Sequence, residues 1–322
     1  MKKNFLRSGL IAAVSGIALS YASCSDDFDY ESSSGQYSGL SGSGGGVAAY
    51  NPLVGDSVQQ YAGLVISKIY FTGSGSSIRD QYFRISNNSD TIIDAQGVIV
   101  LESKFVCGTT AYYDFSDSIS DKNFVTEVVY RIPYSTPIAP GESIILAYQI
   151  AEVPDGLDLS GANYGWTAGT PDPLLSKIFS YSATVWVLHN RGFRSYAIGA
   201  LPADSTSFLA NYKYTGTYKY DVHNDKVDTT YVITTTNAYK IPNEWIIDAV
   251  NVVSPVPAER VVQTLPYSLD SGLTYAGDTS NSSSTARFEK AVSRKSAGGK
   301  YVDTNNSTND FDVNTARDPI LP

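Results

Sequence analysis

Short runs of β-branched and aromatic residues, each ended by Gly, Pro, Asn or Asp, constrain the fold of this chain most. Residues 64–71 form one such run, which stops at a Gly-Ser-Gly stretch. Similar runs predict strands at residues 81–85, 98–101, 124–130, 144–148, 183–188 and 245–253. The helical period is nearly absent, and only residues 173–179 and 257–264 favour short helices. The pattern predicts an all-β fold, either a sandwich or a barrel.

Residues 212–236 predict a long β-hairpin with its turn at residues 222–225. Tyr212, Tyr214, Tyr218 and Tyr220 fall on one face at the period of two that a strand imposes. Two interpretations stay open for this stripe. It is either the half-buried face of a sheet or, together with Trp166, a contact surface for a partner or ligand, because Tyr and Trp supply large, rigid contact area.

The N-terminus has the pattern of an export signal. Three cations among the first seven residues precede an apolar segment at residues 10–19, which is too short to span a bilayer. The small residues Ala22 and Ser23 come directly before Cys24. This resembles a lipobox, so we predict a lipoprotein signal peptide over residues 1–23 and acylation of Cys24. An ordinary secretory signal cleaved near Ala22 is the alternative.

The residues after Cys24 predict where the chain is held. Ser25, Asp26 and Asp27 resemble the acidic signal that sends lipoproteins of the Bacteroidota to the outer leaflet; the alternative is a merely solvated acidic start. Residues 24–46 are rich in Ser and Gly, which is typical of a flexible tether with a reach of about 25 Å for about 22 residues. We therefore predict a lipid-anchored, cell-surface protein of the outer membrane.

Charge and motifs exclude several classes of function. Removal of the three N-terminal cations changes the formal net charge from −9 to −12, which disfavours nucleic acid as a partner. The sequence has no His-Glu-x-x-His, Cys-x-x-Cys or nucleophile-elbow motif. We predict no enzyme activity, no cofactor and no metal, although a Ca²⁺ ion at the Asp- and Asn-rich residues 303–310 and a glycosidase-type pair of carboxylates stay open.

Five triplets of Asp, a hydroxyl residue and a third residue resemble the acceptor for O-glycosylation in exported proteins of the Bacteroidota. Glycans at such sites solubilise and protect a surface. The candidate acceptors are Ser57, Thr91, Ser118, Ser205 and Thr229.

Three segments together resemble an immunoglobulin-like domain of the lamin-tail type. The first is the strand at 64–70 followed by residues 81–89, the second is the Pro140-Gly141 turn with the apolar run after it, and the third comprises residues 245–250, Arg287-Phe288 and 303–311. The resemblance implies one β-sandwich domain over residues 60–322. The chain is about twice as long as such domains, and the excess lies in an insertion at about 150–240 that includes the long β-hairpin.

The whole chain resembles a family of Bacteroidota lipoproteins known as domain of unknown function 4876. Genes of that family tend to lie beside those of TonB-dependent receptors. The resemblance therefore implies a non-catalytic accessory or binding subunit of a TonB-dependent receptor or another outer-membrane β-barrel complex. A stand-alone adhesin that binds a glycan or a host protein is the alternative.

Overall fold

The structure is a computed structural model, which describes residues 58–318 apart from a set of gaps. The gaps are 72–78, 107–110, 115–121, 153–156, 168–170, 182–185, 189–192, 202–204, 225–226, 261–263, 282 and 317.

The described residues contain eighteen strands. They are β1 (Leu64–Tyr70), β2 (Tyr82–Asn87), β3 (Ile93–Asp94), β4 (Val98–Ser103), β5 (Ala111–Asp114), β6 (Asn123–Arg131), β7 (Pro137–Ile138), β8 (Ser143–Ala147), β9 (Tyr164–Gly165), β10 (Ser176–Ser180), β11 (Tyr196–Ala200), β12 (Lys213–Asn224), β13 (Val227–Pro242), β14 (Ile246–Val250), β15 (Lys290–Arg294), β16 (Ser296–Ala297), β17 (Lys300–Tyr301) and β18 (Phe311–Ala316). The α-helices are α1 (Ser205–Asn211) and α2 (Ser307–Asp310), and the 3-10 turns are Gln59–Tyr61, Asn243–Trp245, Pro257–Glu259 and Ser284–Arg287.

The strands form two large sheets and two small ribbons. The first sheet has six strands in the order β18-β15-β1-β2-β8-β9. The second has eight, in the order β14-β11-β4-β6-β13-β12-β5, with β10 also paired to β6. The ribbons are β16-β17 and β3-β7. This architecture confirms the predicted all-β sandwich, while the immunoglobulin-like, lamin-tail subtype stays a prediction.

Side chains from both large sheets form the main core. Ile66 and Ile69 of β1, Phe83 of β2, Val100 of β4 and Val128 of β6 are all buried in it. The outer faces are covered too, so β1 and β4 are buried at every position. On the second sheet the cover includes Phe208 of α1 and Leu265; on the first sheet it is the segment with Leu157 and Leu159. Strands covered on both faces read as continuous apolar runs, which is why the sequence predicted these two.

Two turns formed as their sequences indicate. Gly141 has φ +80°, and the amide of Glu142 donates to the carbonyl of Ala139 at 2.9 Å. This arrangement is the type II turn that Pro140-Gly141 predicts. Asn87 accepts hydrogen bonds from the amide and the hydroxyl of Ser89 through its side-chain oxygen, which closes the turn predicted at residues 87–90.

Two predicted elements are wrong. Residues 173–179 were expected to be helical, but β10 pairs with β6 beyond the point where β13 leaves β6, so tertiary pairing overrides the local preference. Residues 186–188 were expected in a strand and are not. The carbonyl of Trp186 instead accepts a 2.7 Å hydrogen bond from Nε1 of Trp166. The ring of Trp186 stacks on that of Tyr130 in the core.

The predicted insertion at about 150–240 includes strands of the second sheet. It contains β11, an interior strand of the second sheet between β14 and β4, and β10, which pairs with β6. Of the helix predicted at 257–264, the structure has only the turn Pro257–Glu259 among the described residues.

Candidate functional site

The long hairpin continues the second sheet past β6, and we call β12, β13 and β5 together the wing. β12 has 12 residues and β13 has 16. Only Tyr239–Pro242 of β13 pairs with β6, while β5 pairs with β12 over Lys219–Val222. Pairing between β12 and β13 continues to Asn224 and Val227. The predicted turn at 222–225 therefore begins too early, since residues 222–224 are in the strand.

Register brings tyrosines of all three wing strands into one row. Tyr220 lies opposite Tyr113 of β5 on one side and opposite Tyr231 of β13 on the other. The next pair on the same face is Tyr218 with Ile233. Directly opposite residues share a face of a sheet, so register assigns Tyr113, Tyr220 and Tyr231 to one face of the wing, although Tyr113 and Tyr231 are more than a hundred residues apart in sequence.

The other face of the wing combines polar and apolar residues. Asp221 lies between Tyr112 and Thr230, and Thr217 lies opposite Thr234. Alternation in a strand assigns these rows to the face away from the row of Tyr220. Val232, opposite Lys219, belongs to the same face.

The base of the wing packs against the body through the first two tyrosines of the predicted stripe. Tyr214 is buried with Phe105, Val125 and Ala238. Tyr212 is partly buried, and its ring contacts those of Phe208 and Trp245. For these two residues the interpretation as a packed sheet face is the appropriate one.

Trp166 is not part of an outer contact surface. Its side chain is buried in the main core, where its ring lies 4.9 Å from that of Trp186 and 6.4 Å from that of Tyr148. The prediction that Trp166 binds a partner is therefore wrong. The sequence showed an aromatic residue between glycines, which does not distinguish a surface residue from a core residue.

The predicted anchor and two glycosylation sites lie outside the described residues. These are Cys24, Ser25, Asp26, Asp27, Ser57 and Ser118. Thr91 is exposed in the turn after β2, Ser205 begins α1, and Thr229 lies within β13. No helix in the described part of the chain has the length and hydrophobicity needed to span a bilayer.

A buried ion pair joins the first sheet to β14, the edge strand of the second sheet. Arg294 of β15 donates to both carboxylate oxygens of Asp248 of β14, at 2.7 and 2.6 Å. Asp248 also accepts from the amide of Ile66 at 2.6 Å, and Nε of Arg294 donates to the carbonyl of Ile66 at 2.9 Å. Burial raises the pKa of Asp248 to about 6, against the attraction of Arg294. The pair satisfies the backbone of β1 where its ladder with β15 ends.

A second ion cluster contains two carboxylates, Glu102 at the end of β4 and Glu127 of β6. Both contact the guanidinium of Arg194, and Glu127 also accepts from Nζ of Lys104 at 2.7 Å. Burial, with Arg194 nearby, lowers the pKa of Lys104 to about 8. Two cations here balance two acids, so the cluster is neutral and serves to hold strand ends together. Sequence reasoning missed it because its members are far apart in the chain.

The segment at residues 303–310 is tied by side chain–backbone bonds, as its composition predicts. Asn306 caps α2 by accepting from the amides of Thr308 and Asn309. Asp310 accepts from the amides of Thr304 and Asn306. Within the described ranges no group of three or more His, Cys, Asp or Glu side chains is arranged to hold a metal ion.

Fold and site together define a β-sandwich with a tyrosine-bearing wing. The chain belongs to the family described as "Protein of unknown function (DUF4876)", which residues 139–317 match, more than half of the sequence. A crystal structure of a DUF4876 family protein from Bacteroides thetaiotaomicron VPI-5482 has the same fold. It shares 22% identity at a TM-score of 0.57, over 81% of this chain and 72% of that chain. The comparison with curated proteins found no match.

Proposed function

We propose that this protein is a non-catalytic lipoprotein of the outer membrane, displayed at the cell surface through an acylated Cys24. In this proposal it acts as an accessory or binding subunit of a TonB-dependent receptor or another outer-membrane complex. The observation that carries the proposal is the wing, whose strands leave the body after four paired residues of β13 and bring Tyr113, Tyr220 and Tyr231 into one row.

The physical argument concerns what such a wing needs. An isolated two-stranded hairpin is marginally stable in water, and a third strand or a covered face is required to hold it. β5 supplies a third strand over only four residues. A partner that packed against the tyrosine-bearing face of the wing would supply such a cover. Tyr is also enriched at protein interfaces, because it combines a large apolar ring with one polar tip.

The organisation of the charged groups supports a binding role over a catalytic one. The two facing carboxylates, Glu102 and Glu127, share Arg194 and are buried in a neutral cluster. General acid–base catalysis by such a pair requires that a substrate can reach the carboxylates.

Co-purification in mild detergent tests the proposal. Full-length protein with a C-terminal tag would be expressed in a bacterium of the Bacteroidota and captured through the tag. An outer-membrane β-barrel should be retained with it. The variant Tyr220→Ser with Tyr231→Ser should lose it. The matched control, Thr217→Ala with Thr234→Ala on the opposite face of the wing, should retain it. Failure of the native protein to retain a β-barrel would contradict the proposal.

A stand-alone adhesin is the second candidate, and exposed aromatic side chains favour it. Tyr267 is 68% exposed and Tyr134 is 54% exposed. Exposed rings of this kind can stack on the apolar faces of sugars. A glycan and matrix-protein array probed with the native protein and with Tyr267→Ser and Tyr134→Ser tests this candidate, and an array without signal would remove it.

A further inference from the structure

The outer face of the first sheet contains two cations that lie directly opposite each other. Lys68 of β1 and Arg84 of β2 are register partners. Like charges in directly opposite positions destabilise a pair of strands. The arrangement therefore requires an anion between them.

A β-bulge creates this arrangement. The register of β1 with β2 shifts between Ile66 and Lys68, so that Ser67 has no partner of its own. Ile66 and Ile69 both lie in the main core, which leaves Ser67 and Lys68 together on the outer side. Bulges frequently re-aim a side chain at a functional position. Without the bulge, strict alternation would direct Lys68 into the core.

The donors form a complete carboxylate receptor, which the chain's own Asp318 occupies. One oxygen of Asp318 accepts from Nζ of Lys68 at 2.7 Å. The other accepts from the hydroxyl of Tyr82 at 2.8 Å and lies 3.3 Å from the guanidinium of Arg84. The amide of Asp318 also donates to the Tyr82 hydroxyl at 3.2 Å. The site thus contacts a carboxylate and the backbone of the residue that bears it.

The three donors lie on rigid strands, whereas the acceptor does not. Lys68, Tyr82 and Arg84 belong to the adjacent strands β1 and β2, and the Tyr82 side chain is fully buried beside Tyr70. A hydrogen bond from Ser67 to the Arg84 carbonyl and one from Nε of Arg84 to Ser67 fix the arginine. Asp318 lies two residues beyond the end of β18. Two cations face this one acid, so the site keeps an excess of positive charge.

We propose that Lys68, Tyr82 and Arg84 form a binding site for the acidic side chain of a partner peptide, and that Asp318 is an internal stand-in which such a peptide displaces. A peptide is favoured over other carboxylates because Tyr82 contacts the main-chain amide as well as the side chain. The proposal does not depend on the wing, which lies on the other sheet.

Peptide titration of the full chain tests this. The probe is a synthetic peptide with the sequence of residues 316–322, and its control carries Asn in place of Asp318. The variant Asp318→Ala should bind the acidic probe at least about tenfold more tightly than the native protein. In the native protein Asp318 occupies the site most of the time, and the apparent affinity falls in proportion to the fraction of molecules whose site is free. The Asn peptide should not bind.

Two further variants assign the binding to the site. Lys68→Met in the Asp318→Ala background should abolish binding, whereas Lys300→Met, which removes a lysine that contacts Asp90 elsewhere, should leave it unchanged. If Asp318→Ala does not fold, the near-isosteric Asp318→Asn takes its place. Absence of saturable, Lys68-dependent binding to either variant overturns the proposal. If the acidic oligosaccharide trigalacturonate binds and the peptide does not, the assignment of the site to a peptide is overturned. Both results are independent of β-barrel retention by the wing.

Discussion

At the scale of single residues, Asp and Asn side chains replace backbone partners where strands end. Asp94 accepts from the amides of Gln96 and Thr136 and from the hydroxyl of Ser135. Asp270 accepts from the amides of Asn251, Gly272 and Ser307. Bonds of this type satisfy groups that no ladder reaches, and they give polar loops a defined conformation.

Asp318 makes stability depend on pH. Burial opposes its charge, but bonds from Lys68 and Tyr82 and the nearby Arg84 outweigh burial and hold its pKa below the usual range. A carboxyl whose pKa is lowered in the folded state stabilises the fold at pH values above its unfolded-state pKa of about 4. This stabilisation is lost as the pH falls through the folded-state pKa. Asp318→Asn should lower the free energy of unfolding by about 1–2 kcal/mol at pH 7. Urea unfolding measured from pH 7 to pH 2 should also show a smaller loss of stability with acidification than in the native protein.

The control for Asp318 is Asp90→Asn. Asp90 forms an exposed pair with Lys300, and exposed pairs contribute little. The free energy of unfolding of Asp90→Asn should therefore decrease with falling pH as that of the native protein does. Equal pH profiles for Asp318→Asn and the native protein would contradict the prediction.

Among the five predicted glycosylation sites, Thr91 is the one whose exposure the structure describes. It is exposed in a turn, between an Asp90 side chain that is 92% exposed and an Ile92 that is 68% exposed. Protein made in a bacterium of the Bacteroidota should lose the mass of one glycan in Thr91→Ala and keep it in Thr91→Ser, as read by intact mass spectrometry. Masses that differ among the three proteins only by the substituted side chains would exclude Thr91 as an acceptor.

At the scale of elements, turns and bulges decide which residues face each other. The type II turn at Pro140-Gly141 sets the start of β8, and the bulge at Ser67 sets the outer face of β1. Both are local departures from regular geometry that fix the register of the strands beside them.

Gly141→Ala tests the turn. No atom lies within 4 Å of the position that a Cβ would take, so the cost comes only from the φ of +80°. Alanine is strained in this left-handed backbone conformation, so the variant should lose about 1 kcal/mol of unfolding free energy. Glu142→Ala, in the same turn but with ordinary geometry, is the control and should change little. Equal urea midpoints for the two variants would contradict the strain argument.

At the scale of the whole molecule, the Asp248–Arg294 pair holds the two sheets together at one edge. Both side chains are almost completely buried. Arg294 also contacts Asp303 and Asp310. Arg294→Met therefore leaves buried carboxylates without their cation, and urea unfolding should show a loss of about 3–5 kcal/mol. Asp248→Leu leaves Arg294 with two other acids and should cost less. The double variant should be closer to the native protein than the sum of the two. Strict additivity would show that the residues do not act as a pair.

The proposed location is also a property of the whole chain. Cys24→Ala should release the protein from the membrane fraction. Protease added to intact cells should digest the native protein but not an Asp26→Ala, Asp27→Ala variant, which keeps the anchor and loses the export signal. A periplasmic protein serves as the control for cell integrity. Protection of the native protein would contradict display at the surface.

The sequence by itself determined the all-β class, most strands of the sandwich and two turns, because these depend on local features: β-branched runs, alternation and residues that accept φ above zero. Tertiary structure decided that residues 173–179 pair with β6 as a strand, that Trp166 is in the core, and that Lys68 faces Arg84. Each of these depends on which neighbour a residue meets, and contacts between segments far apart in the chain are not written in any short window of sequence. The same holds for the tyrosine row of the wing, which the sequence indicated in β12 but which only the register with β5 and β13 completed.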